Sequence, residues 1–249
     1  MAGTAVRGRL RGLTWQVATV DEVVDETPRV RTIVLDVPDW PGHRAGQHLD
    51  VRLTAEDGYR AEREYSIASA PGEPVAITVE RLEDGEVSPY LAEELRAGDG
   101  IELRGPIGGY FVWDGEDRMP LLLAAGGSGV VPLRAMVRHR QRTGSEAPVR
   151  LLYSSRTLDD VIYRGELEEA SDGVEVVHTL TREQPPGWGG YARRVDAELL
   201  ADVAWPADDG ALAFVCGPTS FVEAVAEGLV DLGYPPARVK TERFGATGR

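Results

Sequence analysis

Three glycines set between an apolar strand and a helix are the first residues here with a chemistry of their own. In LLLAAGGSGVVPLRAM, Gly126, Gly127 and Gly129 let backbone N–H groups and a helix N-terminus approach a phosphate, where partial positive charge favours an anion. A dinucleotide suits such a turn. The pattern departs from G-x-G-x-x-G because Pro132 stands at the third glycine position. A plain strand-to-helix turn with Pro132 at the first helical position explains the same residues without a ligand. The next apolar segment, VRLLYSSRTLDD, ends in Ser154, Ser155 and Arg156, where a nucleotide-binding sheet places the group that meets the ribose. Arg156, and Arg182 at the end of HTLTRE, suit the 2′-phosphate of NADP, with Tyr191 as an adenine-stacking partner. Both arginines could equally be solvated turn residues, and Asp159 and Asp160 keep NAD open.

REYSIASAP is the other unusual line. Tyr65, Ile67 and Ala68 give only part of a strand's alternation, so something besides packing fixes Arg63, Tyr65 and Ser66. FVCGPTSF repeats the strand-to-turn pattern, with Cys216 at the strand end, Gly217 giving backbone access and Pro218 stiffening the turn. Cys216 has no neighbouring base in sequence and reads as a small buried hydrophobe. A nucleophile elbow at Ser128 lacks its second glycine, because Val130 stands there. His43, His48, His139 and His178 show no metal-ligand spacing, and His43 and His48 are expected in or near a turn.

The elements that must carry these residues fall into two textures. From Trp15 to about Trp113 come short β-rich pieces broken by DWPG, AEDGY and APGEP, at spacings that suit an antiparallel barrel or sandwich. One helix interrupts them at SPYLAEELRAG, with Ser88 as N-cap and Pro89 in the first turn. After DGEDR, strands alternate with helices through MPLLLAA, VRLLYSS, VEVVHTL and ALAFVCG, the signature of a parallel sheet with crossover helices, and VKTERFG offers one more strand. The expected division is residues 1–116 for an antiparallel Greek-key β-barrel and 117–249 for an α/β domain.

Composition narrows the class. With 27 basic against 41 acidic residues and a net charge of -14, the chain lacks the basic surface that nucleic acid requires. Its single cysteine allows no intramolecular disulfide and no cysteine-ligated cluster within one chain. The longest apolar run, Pro120 to Ala125, is too short to span a bilayer, so a cytoplasmic monomer with no membrane association is expected.

Taken in order, REYSIAS, GEVSPYL, GPIGGYF, AAGGSGVVP, VCGP and ERFG resemble the ferredoxin-NADP reductase family, flavin-containing NAD(P)H reductases with a barrel followed by an α/β domain. The resemblance covers roughly Trp15 to Gly245. It implies Arg63 at the flavin pyrophosphate, Tyr65 against the isoalloxazine ring or ribityl chain, and Ser66 at flavin N5. It puts Gly85, Val87 and Ser88 at the same pyrophosphate. Gly126, Gly127, Gly129 and Pro132 become the nicotinamide-dinucleotide phosphate turn, and Cys216, Gly217 and Pro218 the turn beside the nicotinamide. Glu242 and Phe244 come near the flavin ring. The implied cofactor is FAD, with FMN the alternative, and the electron donor is NADPH or NADH. The implied activity is electron transfer to a separate ferredoxin or oxygenase component by a stand-alone reductase module. The rivals are a flavin reductase that releases its product, a relay or regulatory subunit inactive without its partner, and a flavin-free structural protein. A basic docking patch could come from Arg134, Arg138, Arg140 and Arg142, or from Arg7, Arg9 and Arg11.

Overall fold

A computed structural model describes residues 13–116, 118–170 and 173–244; Arg7, Arg9, Arg11 and Gly245 lie outside them. Strands β1 (Gln16–Thr27), β2 (Val30–Asp36), β3 (His48–Thr54), β4 (Arg60–Ser66), β5 (Val75–Glu80) and β6 (Gly100–Ile107) form an antiparallel sheet in the order β4-β3-β6-β1-β2-β5. Its inner face is aliphatic, with Ile33, Leu35, Leu49, Val51, Ile77 and Leu103 all buried. The edge strands β4 and β5 approach one another at the bridge between Ile67 and Ile77, so the barrel is left split along much of that seam.

β5 explains its own sequence. Val75, Ile77 and Val79 face the barrel core, whereas Ala76 on the opposite face joins the core of the following domain. A strand buried on both faces needs no polar alternation, and five of the six residues of VAITVE are buried.

The second half begins with β7 (Leu121–Gly126), followed by helix α1 (Val130–Thr143), β8 (Val149–Ser155), α2 (Arg164–Glu168), β9 (Val174–Leu180), α3 (Ala197–Val203), β10 (Leu212–Pro218), α4 (Thr219–Asp231) and β11 (Val239–Phe244). The strands pair in parallel in the order β11-β10-β7-β8-β9. Leu121, Leu123 and Ala125 pack with α1 on one face, and Leu122 and Ala124 pack with α3 and α4 on the other. The chain leaves β7 for β8 on one side and later returns to β10 on the other. The C-terminal end of β7 is therefore a topological switch point, the place where an open α/β sheet leaves a crevice.

Several local expectations change. β4 starts at Arg60, ahead of REYS, and ends at Ser66. Helix α1 starts at Val130, so Pro132 is its third residue and not its first. In the barrel's helical insert, Tyr90–Glu94 wind as a single π turn, and Ser88 does not cap it. The Ser88 hydroxyl instead accepts from the Leu82 backbone N–H at 3.1 Å, closing the preceding loop. DVIYRGELEEA yields a 3-10 turn at Leu158–Asp160 and only the short α2. His48 opens β3 directly after the turn at Arg44–Gln47, while His43 is buried, donating from Nε2 to Ser69 O at 3.0 Å and accepting at Nδ1 from Trp40 Nε1. Among the described residues no helix is long and apolar enough to cross a membrane.

Candidate functional site

The split in the barrel is a groove of about 590 Å³ between β4 and the segment that follows β5. Arg63, Tyr65 and Ser66 line it from one side, and Gly85, Val87 and Ser88 from the other. Edge strands expose unpaired backbone N–H and C=O groups, which normally need cover. Here they face a groove of ligand size. Burial, only weakly opposed by Arg63, pushes the Tyr65 hydroxyl well above its usual range, so Tyr65 meets the groove as a neutral phenol. Arg63 is held at the groove's outer end, donating to Glu86 Oε2 at 2.7 Å and to Glu62 O at 2.7 Å.

A second groove of about 490 Å³ opens at the switch point. Gly126 and Gly127 line it, followed by Ser154, Ser155 and Arg156 from the end of β8, then Arg182, Arg194 and Pro218. The Ser155 hydroxyl is buried without a hydrogen-bond partner among the described residues, an arrangement that a bound polar group would relieve. The glycines matter through lack of bulk. Gly127 has φ +55°, in the region that favours glycine. A Cβ on Gly129 would lie 2.1 Å from Cys216 O, and one on Gly126 would lie 3.0 Å from Phe221. The turn thus packs directly on the β10 turn, which brings AAGGSG and VCGP together.

Glu80, Ser128 and Phe244 line both grooves, and Ser128 Oγ donates to Glu80 Oε2 at 2.9 Å where they meet. Of the other residues singled out in sequence, Gly129, Pro132, Cys216, Gly217 and Glu242 stand behind the walls and do not line them. Cys216 is 1% exposed, and β10 places it in register with Glu242 on β11. Burial, then the Glu242 carboxylate, pushes the Cys216 thiol well up, which keeps it from being a thiolate nucleophile. Burial, then Glu64, also pushes Glu242 up to about 7. Glu64 itself is exposed, yet His48, Asp50 and Glu64 bring their ligand atoms within 4.8 Å of one another, a grouping no sequence spacing reveals. Asp50 there already accepts from Arg104 Nε at 2.7 Å.

Two sets of residues lie elsewhere than the sequence suggests. Tyr191 does not reach the nucleotide groove: it bridges to Thr179 beside β9, and its hydroxyl donates to Asp202. Three residues further, Arg194 lines the groove instead. The arginines of α1 form no free docking patch. Arg134 and Arg140 are buried, Arg134 and Arg138 both donate to Glu166, and Arg138 and Arg142 pair with Glu73 of the barrel at 3.5 and 3.6 Å. Arg134, which also donates to Ala68 O, Arg138 and Arg142 join the two halves of the chain, whereas Arg140 donates to Ala147 O within the α/β half. Asp160 lines the nucleotide groove with its carboxylate taken by the Thr157 hydroxyl and N–H, while Asp159 does not line it.

Comparison with known proteins agrees with this geometry. Residues 18–112 match the oxidoreductase FAD-binding domain, and residues 123–227 match the oxidoreductase NAD-binding domain. Ferredoxin--NADP reductase B of Sorangium cellulosum is 37% identical over 211 residues, covering 80% of this chain and 84% of that protein. The glycine betaine monooxygenase reductase subunit of Chromohalobacter salexigens is 33% identical over 91% of this chain, which spans 63% of that relative's length. Among solved structures, the flavohem-like FAD/NAD binding domain of nitric oxide dioxygenase from Vibrio cholerae superimposes with a TM-score of 0.82 at 26% identity. That match covers 92% of this chain and 98% of that one.

Proposed function

The chain belongs to the ferredoxin-NADP reductase family of flavin-dependent NAD(P)H oxidoreductases, and from that premise we propose that it passes electrons from NADPH, through FAD, to a separate ferredoxin-like or oxygenase component. The observation that carries this reading is the meeting of the two grooves at Glu80, Ser128 and Phe244. One groove alone would bind; two that share a wall can bring a donor to an acceptor. The name of the glycine betaine monooxygenase reductase subunit supports an oxygenase component as the acceptor's class.

The residues present fit both cofactors. A seam of unpaired strand edge flanked by an arginine suits a planar ring with a phosphate tail, and the buried, unpartnered Ser155 hydroxyl beside three arginines suits a phosphorylated ribose. Bound FAD supplies hydride acceptance and release of single electrons. In this reading Arg63 turns part of its fork to the pyrophosphate, with Gly85, Val87 and Ser88 closing on the same group. Tyr65 lies along the ring or ribityl chain, and Ser66 offers its hydroxyl to N5. Gly126, Gly127 and Gly129 admit the dinucleotide, with Pro132 fixing the turn's exit. Arg156, Arg182 and Arg194 stand exposed at one end of their groove, and together they favour the extra phosphate of NADPH over NADH. Gly217 and Pro218 shape the wall beside the nicotinamide, while Cys216 and Phe244 pack around it. Glu242 holds a proton near neutral pH close to the ring. We divide the chain at 116/117, between β6 and β7.

The test is an anaerobic spectrum of the purified, FAD-loaded protein on mixing with NADPH or NADH. We expect NADPH to bleach the flavin faster, and Ser66→Ala to slow bleaching while leaving the thermal midpoint near that of the parent. Equal bleaching by both nucleotides would sink the role of the three arginines, and an unchanged rate in Ser66→Ala would sink that of Ser66. Flavin that stays bound through turnover separates this enzyme from one that releases reduced flavin.

A further inference from the structure

One group of donor atoms on the barrel has been given no part in binding. His48 and Asp50 stand two positions apart on β3 and so share a face, turned away from Leu49 and Val51 in the barrel core. Antiparallel register sets Glu64 of β4 directly opposite Asp50. Each of the three brings a ligand atom within 4.8 Å of the other two. Carboxylates alone gather on many surfaces without a ligand, and two further observations set this group apart.

The first lies across the seam between the two halves of the chain. His48 Nδ1 faces Glu242 Oε1 of β11 at 3.9 Å, too far for a hydrogen bond. Two ligands bound about 2.1 Å from one ion stand up to about 4.2 Å apart, so the gap is of the size that a cation fills. The second oxygen of Glu242 is buried with no hydrogen-bond partner among the described residues. The other observation is the setting of Asp50. Its side chain is only 9% exposed, and Arg104 Nε donates to its Oδ2 at 2.7 Å. That bond orients the carboxylate as outer partners orient metal ligands, and it leaves the second oxygen to ligate. We propose that His48, Asp50 and Glu64 bind a divalent transition-metal cation, with Glu242 closing the fourth side. One imidazole among carboxylates suits Zn²⁺, whereas Mg²⁺ prefers an octahedral shell of oxygens. Because β3 and β4 belong to the barrel and β11 to the α/β half, the ion staples one to the other. It does so beside Ser66, which β4 pairs with His48.

The test uses the purified full chain, treated with a chelator, dialysed, and titrated calorimetrically with Zn²⁺ or with Mg²⁺. The parent should take up one Zn²⁺ per chain, unfold at a higher temperature once loaded, and bind Mg²⁺ more weakly. Glu64→Gln changes an exposed side chain, so the chain should stay folded while its affinity for Zn²⁺ falls about tenfold or more. His48→Gln should remove the site, and the exposed Glu64 keeps the test readable should that variant fail to fold. A parent that takes up no Zn²⁺ overturns the site. Zn²⁺ that binds parent and Glu64→Gln alike also overturns it, by placing the ion on other residues, as does Mg²⁺ that binds as tightly as Zn²⁺.

Discussion

Glu242 shows how a residue's chemistry is set by neighbours that its own sequence does not name. ERFG gives no hint of a raised pKa; β11 pairing beside β10 buries the carboxyl behind Cys216, and the fold brings Glu64 of the barrel towards it. The folded chain holds a proton at Glu242 up to about pH 7, whereas an unfolded glutamate releases it near 4.5. Below 4.5 both states are protonated and Glu242 is neutral in its effect; as pH rises from 4.5 to about 7 the folded state loses stability relative to the unfolded one, and above about 7 the loss is complete. At about 1.4 kcal/mol per pKa unit, and with the side chain 27% exposed to screening water, the loss is on the order of 2 kcal/mol. Glu242→Gln should therefore flatten the fall of the thermal midpoint between pH 5 and 8. A parallel fall in parent and variant would place the titration elsewhere. Arg63, Tyr65 and Ser66 were legible because their types broke a strand's pattern. Glu80, Glu86 and Arg194 were not, because each is an ordinary charged residue until the fold sets it beside a groove.

At the scale of elements, the strand-turn-helix of β7 and α1 carries the most information per residue. Its glycines were readable as a phosphate turn, and the structure adds a second requirement: Gly129 has ordinary backbone angles, φ -61° and ψ -11°, yet no room for a side chain. Gly129→Ala would press a methyl group into Cys216 O and Gly217 N, both backbone atoms that cannot swing aside. We expect a loss of about 3 kcal/mol in denaturant unfolding, typical of overpacking, and weaker nucleotide binding from the displaced β10 turn. Gly127→Ala should cost less, about 1 kcal/mol, through its positive φ alone, since open space surrounds it. Equal losses in the two would mean that the turn, and not its packing on β10, sets the requirement. Helix α1 was readable from its pattern; the role of its arginines was not. A run of basic residues on one helix looks like a surface in sequence, and only the packing of the barrel against that helix shows it to be a seam.

For the whole molecule, that seam decides whether the two grooves face one another. Tyr163, in an unusual left-handed conformation at φ 59°, donates to Thr78 of β5, which in turn shares a hydrogen bond with Thr32 at 2.8 Å. Arg134 stacks over Tyr163 at 4.2 Å and donates to Ala68 O of the barrel at 3.1 Å. Burial alone would raise the Glu166 carboxyl, yet the hydrogen bonds from Arg138 and Arg134 hold it below the usual range. Glu166→Ala removes the partner of the buried Arg134, and because Glu166 is one-third exposed the expected cost is about 2 kcal/mol, less than for a fully buried pair. Chemical denaturation should show it, with flavin reduction slowed as the grooves lose alignment; an unchanged unfolding midpoint would mean that water replaces Glu166 at no cost. The order of barrel and α/β halves could be read from the change of texture near Asp114 to Arg118. Their docking could not, because it depends on residues far apart in the chain. The lone thiol gives a direct view of how β10 packs on its neighbours. Cys216 is sealed behind the glycine turn, so a thiol-reactive dye can label it only during a breathing motion that parts β10 from its neighbours. The labelling rate of the unmodified protein is then a clock for that motion, readable with and without nucleotide.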